Sequence, residues 1–204
     1  MSPSARNLIL SNAATLWLAI ALRADIGWLM WPYWVQSVII GWYARKRMLH
    51  LGKFSTKGFK SGGKPVPETE KGKRWAANFF ALHYGFFHLG YLIFLLGGHL
   101  FRNASDPALL LACGVSYLFS QRQTYEVQHA ADLRGRPNLG KIMATPYLRI
   151  VPMHLGMLLC GGIGFSIGAL ILFAVLKTAT DIGLDAIDRR MAERGATTAS
   201  KPAA

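Results

Sequence analysis

Three histidines stand inside stretches apolar enough to cross a membrane: His83 and His88 in one, His154 in another. Near neutral pH an imidazole can carry a proton, ligate a metal or bridge two polar groups. Lipid offers it no partner, so each of the three is expected to face a protein interior or a water-filled cavity. Two imidazoles and a carboxylate suit zinc or non-haem iron.

Helical phase restricts the combinations. His83 and His88 are five residues apart, about 140° around a helix, and the HExxH pattern of zinc proteases is absent. A shared site must therefore draw on several helices. The expected ligand set is His83, His154 and Asp181, with His88, Glu126, His129 or Asp185 in reserve. Tyr84, His88 and Tyr91 form one stripe at i, i+4, i+7, whereas His83 shares a face with Phe80, Phe87 and Gly90. The glycine there should let a neighbouring helix approach closely. A b-type haem between histidines on separate helices is a variant of the same idea. Lys177 beside Asp181 reads as a charge-neutralising pair.

Six helices would position these residues, in an all-α, polytopic transmembrane bundle. Apolar runs place them at about 5–22, 26–44, 75–101, 106–119, 146–160 and 165–191. Trp28, Trp31, Tyr33 and Trp34 open the second as an aromatic belt at the interface. Gly161-Gly162 permits a tight turn between the fifth and sixth. The alternative, one span from Tyr147 to Val175 and five in all, would be about 43 Å long against a hydrocarbon core near 30 Å. Pro152 can kink the fifth helix and aim His154 inward.

Composition agrees with a membrane setting. Hydrophobic residues make up 52% of the 204 and charged residues only 16%, well below the roughly 25% of soluble domains. The net charge of +13 could suggest nucleic acid, but the basic residues lie between apolar runs rather than along one face. Nucleic acid is therefore not an expected partner; the bilayer is. Six spans put 21 of the 23 Lys and Arg on one side, outside which only Arg23 and Arg102 fall. By the positive-inside rule that side is the cytoplasm and holds both termini. The connections at 45–74 and 133–146 would be basic cytoplasmic loops, the 51–74 part flexible and close to anionic lipid headgroups. Residues 1–194 read as a single domain, with 195–204 a disordered tail.

The N-terminal run carries an Ala19-Ile20-Ala21 resembling a signal-peptidase site. Ser11, Asn12 and Thr15 interrupt it, so a retained helix is expected. Cys113 and Cys160 lie in apolar runs and form no CxxC motif, which excludes a disulfide framework. His50 and His99 fall near the interfaces and read as solvated surface residues.

Helix rise sets the depth of the polar groups. His83, His154 and Gln36 come out roughly 12, 10 and 13 Å in from the cytoplasmic side. With Asp181 they could meet in one cytoplasmic-side pocket. The apolar parts of the fourth and sixth helices, 108–119 and 165–176, are too short to span alone and continue as amphipathic helices. Their polar faces carry Glu126 and His129 on one, Lys177, Asp181 and Asp185 on the other.

Trp31-Pro32 with Gln36 to Gly41, His83-Tyr84-Gly85 with Phe87-His88, Arg149 to His154, and Lys177-Thr178 with Asp181 together resemble an uncharacterised bacterial multi-pass membrane family, a domain of unknown function. The resemblance covers most of the chain apart from the basic loops. It implies a helical fold in the bacterial inner membrane and no particular activity. Three functions stay open: a metal- or cofactor-binding membrane protein, a small proton- or ion-coupled transporter, and a non-catalytic subunit or assembly factor.

Overall fold

The computed structural model describes residues 26–98 and 106–162 continuously, with helical residues at 13, 17, 21, 168, 171, 172, 174–180, 182–184, 186 and 187. The chain is mostly helical. Four long helices are described from end to end: α1 (Ile26–Leu49), α2 (Glu70–Gly98), α3 (Asp106–Arg134) and α4 (Leu139–Gly162). The expected first helix, most of the sixth, His99 and the 195–204 tail lie outside the described residues.

Helix α1 packs against α2, α3 and α4, which makes it the axis of the bundle. Met30 and Met48 are fully buried on it and meet Phe80 of α2 and Leu139 of α4 in one core. Pro32 sits inside α1 without ending it. The expected interface belt is partly core instead: Trp31 and Tyr33 are buried, and Trp34 reaches across to α2.

The helices run further than their apolar parts. α1 continues to Leu49, α2 begins at Glu70, α3 extends to Arg134 and α4 begins at Leu139. Local caps explain the starts. Thr69 Oγ1 accepts from the Gly72 amide at 3.2 Å, and Asn138 Oδ1 accepts from the Lys141 amide at 3.0 Å; each satisfies a backbone donor orphaned by the first turn. Polar residues thus lengthen both helices beyond what hydropathy marks. α4 also carries its helix through Gly162, beyond the turn expected at Gly161.

The 50–69 connection is a folded cap rather than a flexible loop. Ser55 donates its amide to Pro137 O at 2.9 Å and accepts from the Leu139 amide at 2.8 Å, so the cap is tied to the α3–α4 turn. Phe54 and Val66 are buried beneath it, and Lys73 Nζ donates to Leu51 O at 2.6 Å. Strands β1 (Lys60–Ser61) and β2 (Lys64–Pro65) form a two-residue hairpin. Gly62 and Gly63 both have positive φ, 55° and 78°, as the favoured twist of such a hairpin requires. A few apolar anchors and hydrogen bonds fix a segment whose composition reads as linker.

Glu68 locks the cap. Its carboxylate accepts from the Thr56 amide at 2.9 Å and pairs with Arg136. The Thr56 hydrogen bond, opposed by partial desolvation and helped by the Arg136 charge, holds this carboxyl below the usual 4.5. A depressed folded value stabilises above the unfolded pKa, and that contribution is lost as pH falls through the folded one. Acidification below the usual 4.5 should therefore lower the protection of the Thr56 amide relative to its intrinsic exchange rate, and Glu68→Gln should show low protection already at neutral pH. A Thr56 protection that does not change with pH would rule this lock out.

Candidate functional site

His88 is the one of the three histidines that the structure buries. It sits on α2 against α1, and both ring nitrogens are engaged. Nδ1 lies 2.9 Å from the Tyr84 carbonyl, and Nε2 lies 2.9 Å from Ser37 Oγ. A carbonyl only accepts, so Nδ1 carries a proton and the Nε2 lone pair is free to accept from the Ser37 hydroxyl. Tyr84 closes the chain: its hydroxyl is 2.8 Å from Ser37 Oγ and 3.0 Å from Ser37 O. The Tyr84 and His88 rings stack at 4.2 Å. Trp34 Nε1 donates to the His88 carbonyl at 3.0 Å, pinning the two helices one turn away.

This chain of groups is satisfied in two proton arrangements. With His88 neutral, Ser37 donates to Nε2 and Tyr84 donates to Ser37 Oγ. With His88 protonated, Nε2–H donates to Ser37 Oγ, the serine hydroxyl turns to Tyr84, and Tyr84 donates to Ser37 O. The two differ by one proton on Nε2 and by the rotation of the two hydroxyls. No buried polar atom loses its partner in either arrangement, although the protonated one still places a positive charge on a buried ring whose described partners, a carbonyl and a hydroxyl, are neutral.

His83 and His154 are exposed on the bundle surface along the α2–α4 seam. Each pairs with a tyrosine of the other helix: His83 Nδ1 lies 2.9 Å from the Tyr147 hydroxyl, and the Tyr91 hydroxyl lies 3.3 Å from His154 Nδ1. Pro152 is buried, but His154 is not turned inward. The close approach expected at Gly90 is also absent, since a Cβ there would meet nothing within 4 Å; it occurs at Gly41 of α1, against Tyr84.

Of the residues expected to form the pocket, the described ones have separate surroundings. Among the described residues no three His, Cys, Asp or Glu side chains gather into a set that could hold a metal. Asp181 and Asp185 lie outside the described residues. Gln36 is half-buried beside the serine that makes the contact. Glu126 is exposed and paired with Arg122 at 3.0 Å. Lys177 is buried, with its Nζ 4.5 Å from the centre of the Tyr33 ring. His129 stacks on Tyr125 at 5.4 Å, its Nδ1 buried without a hydrogen-bond partner. His50, expected to be merely solvated, bonds the Tyr125 hydroxyl at 2.7 Å.

One helical turn from the His88–Ser37–Tyr84 cluster, towards the folded cap, α1, α3 and α4 line a partly open cavity of about 40 Å³. That is room for a few waters. Tyr43 and Arg47 line it from α1, Gln121, Thr124, Tyr125 and Gln128 from α3, Thr145 and Arg149 from α4. None of its lining residues is acidic. Arg47 is neutralised behind the wall by Asp132, with a second bond at 2.8 Å, and it donates to Gln128 at 3.0 Å. Burial, Asp132 and Tyr43 all push the Tyr125 phenol above its usual value, so it stays protonated. Tyr147, two residues from Arg149 on α4, has its ring 5.5 Å from that of Tyr84, which places this wall of the cavity beside the His88–Ser37–Tyr84 cluster.

Sequence reasoning passed over Ser37, Tyr147, Arg47 and Arg149 as site residues. A hydroxyl in an apolar helix, three and four residues before an apolar residue and a glycine on the same side, was the available signal for Ser37.

Fold and site together define an α-helical bundle with a polar interior and a cationic vestibule at its capped end. The chain belongs to a family of unknown function (DUF6498), which matches residues 1–198. No curated protein and no solved structure matches it.

Proposed function

We propose that the chain is an integral membrane protein of the bacterial inner membrane, with six spans and both termini cytoplasmic, working as a small proton-coupled carrier. Support for the membrane setting comes from α2, whose 70–97 stretch is long and apolar enough to cross a bilayer. Leu82, Phe86, Leu89 and Ile93 follow one face of that helix and are 56–78% exposed. Water would penalise so long an apolar stripe, and lipid would cover it. The vestibule and the basic cap then face the cytoplasm.

The observation that carries the carrier reading is the double satisfaction of the His88–Ser37–Tyr84 chain. A buried imidazole whose partners fit either protonation state by turning two hydroxyls, with the proton exchanged through water that the neighbouring cavity has room to hold, has the parts of a proton relay. Ser37→Ala removes the central link and should leave Nε2 of His88 without a partner, at about 1–3 kcal/mol. Protein in liposomes holding a pH-sensitive dye, driven by a potassium gradient with valinomycin, should take up protons well above empty vesicles. Ser37→Ala should reduce that uptake at least ten-fold. Uptake equal in the two proteins would refute the relay.

The reciprocal His83–Tyr147 and Tyr91–His154 pairs favour a second reading, a non-catalytic membrane subunit in which histidines hold helices together. On that reading Ser37→Ala lowers thermal stability while neither protein moves protons.

A further inference from the structure

The vestibule holds three polar groups with no assigned work. Arg149 of α4, Gln121 of α3 and Tyr43 of α1 all line it and are all half-buried. Among the described residues none of the three side chains has a hydrogen-bond or ion-pair partner. Their neighbours differ. Arg47 is committed to Asp132 and Gln128, and the hydroxyls of Thr124 and Thr145 donate to Ser120 O and Lys141 O at 3.0 Å each. The spare capacity of the cavity is therefore richer in donors than in acceptors, because the guanidinium adds only N–H groups to an amide and a phenol that can each do both. It converges from three helices around a positive charge with no counter-charge among the described residues.

A half-buried guanidinium without a counter-charge is unfavourable unless something supplies one. Among the described residues no acidic side chain lines the cavity, and Asp132 is already engaged by Arg47. We infer that the vestibule binds the phosphate group of a small anion or a lipid headgroup, gripped by Arg149, Gln121 and Tyr43. The guanidinium fork matches two oxygens of such a group. An amide and a phenol approaching from two other helices suit the remaining oxygens of a tetrahedral anion. A planar carboxylate would leave part of that set idle. The inference names a ligand class for the proposed carrier and rests on that reading only for the vestibule's cytoplasmic placement.

The test titrates the full chain in detergent by calorimetry, once with inorganic phosphate and once with a short-chain phosphatidic acid. Saturable binding is expected, weakened at least ten-fold by Arg149→Gln and partly restored by Arg149→Lys. Gln121→Leu, which acts from a different helix, should weaken it as well while thermal unfolding stays near wild type. Saturation by phosphate identifies a free anion as the source; saturation by phosphatidic acid alone identifies a headgroup. Binding of neither, or binding indifferent to Arg149→Gln and Gln121→Leu, overturns the site. Binding of neither ligand by a protein that still takes up protons would sink the anion site and leave the relay standing. Binding without proton uptake would do the reverse.

Discussion

Replacing Asp132 by alanine is expected to destabilise the protein by about 3–5 kcal/mol, the range for removing one partner of a buried ion pair. Asp132 and Arg47 have side chains only 6% and 16% exposed, and the contact is two-pronged through Nε and Nη2. Alanine would leave the guanidinium buried against Gln128 alone, with like charge from Lys46 and Arg149 nearby in the sequence pattern of the same end. The exposed Arg122–Glu126 pair, at 68% and 59% exposure, supplies an internal comparison. Its removal should cost no more than about 0.5 kcal/mol. Thermal unfolding of the purified chain in detergent, run on Asp132→Ala, Glu126→Ala and the double variant Arg47→Met/Asp132→Leu, checks the argument. The double variant should recover much of the loss, because it removes both charges and fills the space with apolar atoms. Equal small losses at Asp132 and Glu126 would mean that water reaches the Arg47 pair freely.

This pair shows where a sequence stops being informative. Arg47 and Asp132 are 85 residues apart, and nothing local to either distinguishes it from a solvated charge. The same holds for Ser37 and Tyr84, whose meeting depends on how α1 and α2 rotate against each other. Helical phase, by contrast, is local. It separates His83 from His88, and the structure puts the first on the α4 side and the second against α1. Hydropathy likewise marks where α1 to α4 lie, because the core they build together demands apolar runs of about the right length. It underestimates their ends, where Thr69 and Asn138 cap polar turns that hydropathy reads as loop. The cap over 50–69 was the least legible part. Its order depends on Phe54, Val66 and the Glu68 contacts, a small minority of residues in a segment rich in Lys, Gly and Ser.

Gly41→Ala should damage the relay without touching any of its hydrogen-bonding groups. A Cβ on Gly41 would stand 2.4 Å from Tyr84 Cε1 and 2.8 Å from Cδ1. A flexible side chain could swing aside, but Tyr84 has little freedom. Its ring stacks on Phe80 at 4.9 Å and on His88 at 4.2 Å, and its hydroxyl is held at Ser37. Two effects then oppose each other. Alanine in a helix gains roughly 0.5–1 kcal/mol over glycine, whereas overpacking a tight core costs about 1–3 kcal/mol. Overpacking should win, and the ring should relieve it by drawing its hydroxyl away from Ser37. Gly90→Ala is the matched control, since a Cβ there meets nothing within 4 Å; it should be neutral or slightly stabilising. The expected pattern is a lower unfolding temperature together with lost proton uptake for Gly41→Ala, and neither for Gly90→Ala. If Gly41→Ala were as stable and as active as Gly90→Ala, Tyr84 would not be held against α1, and the relay built on that contact would have no fixed geometry to work with.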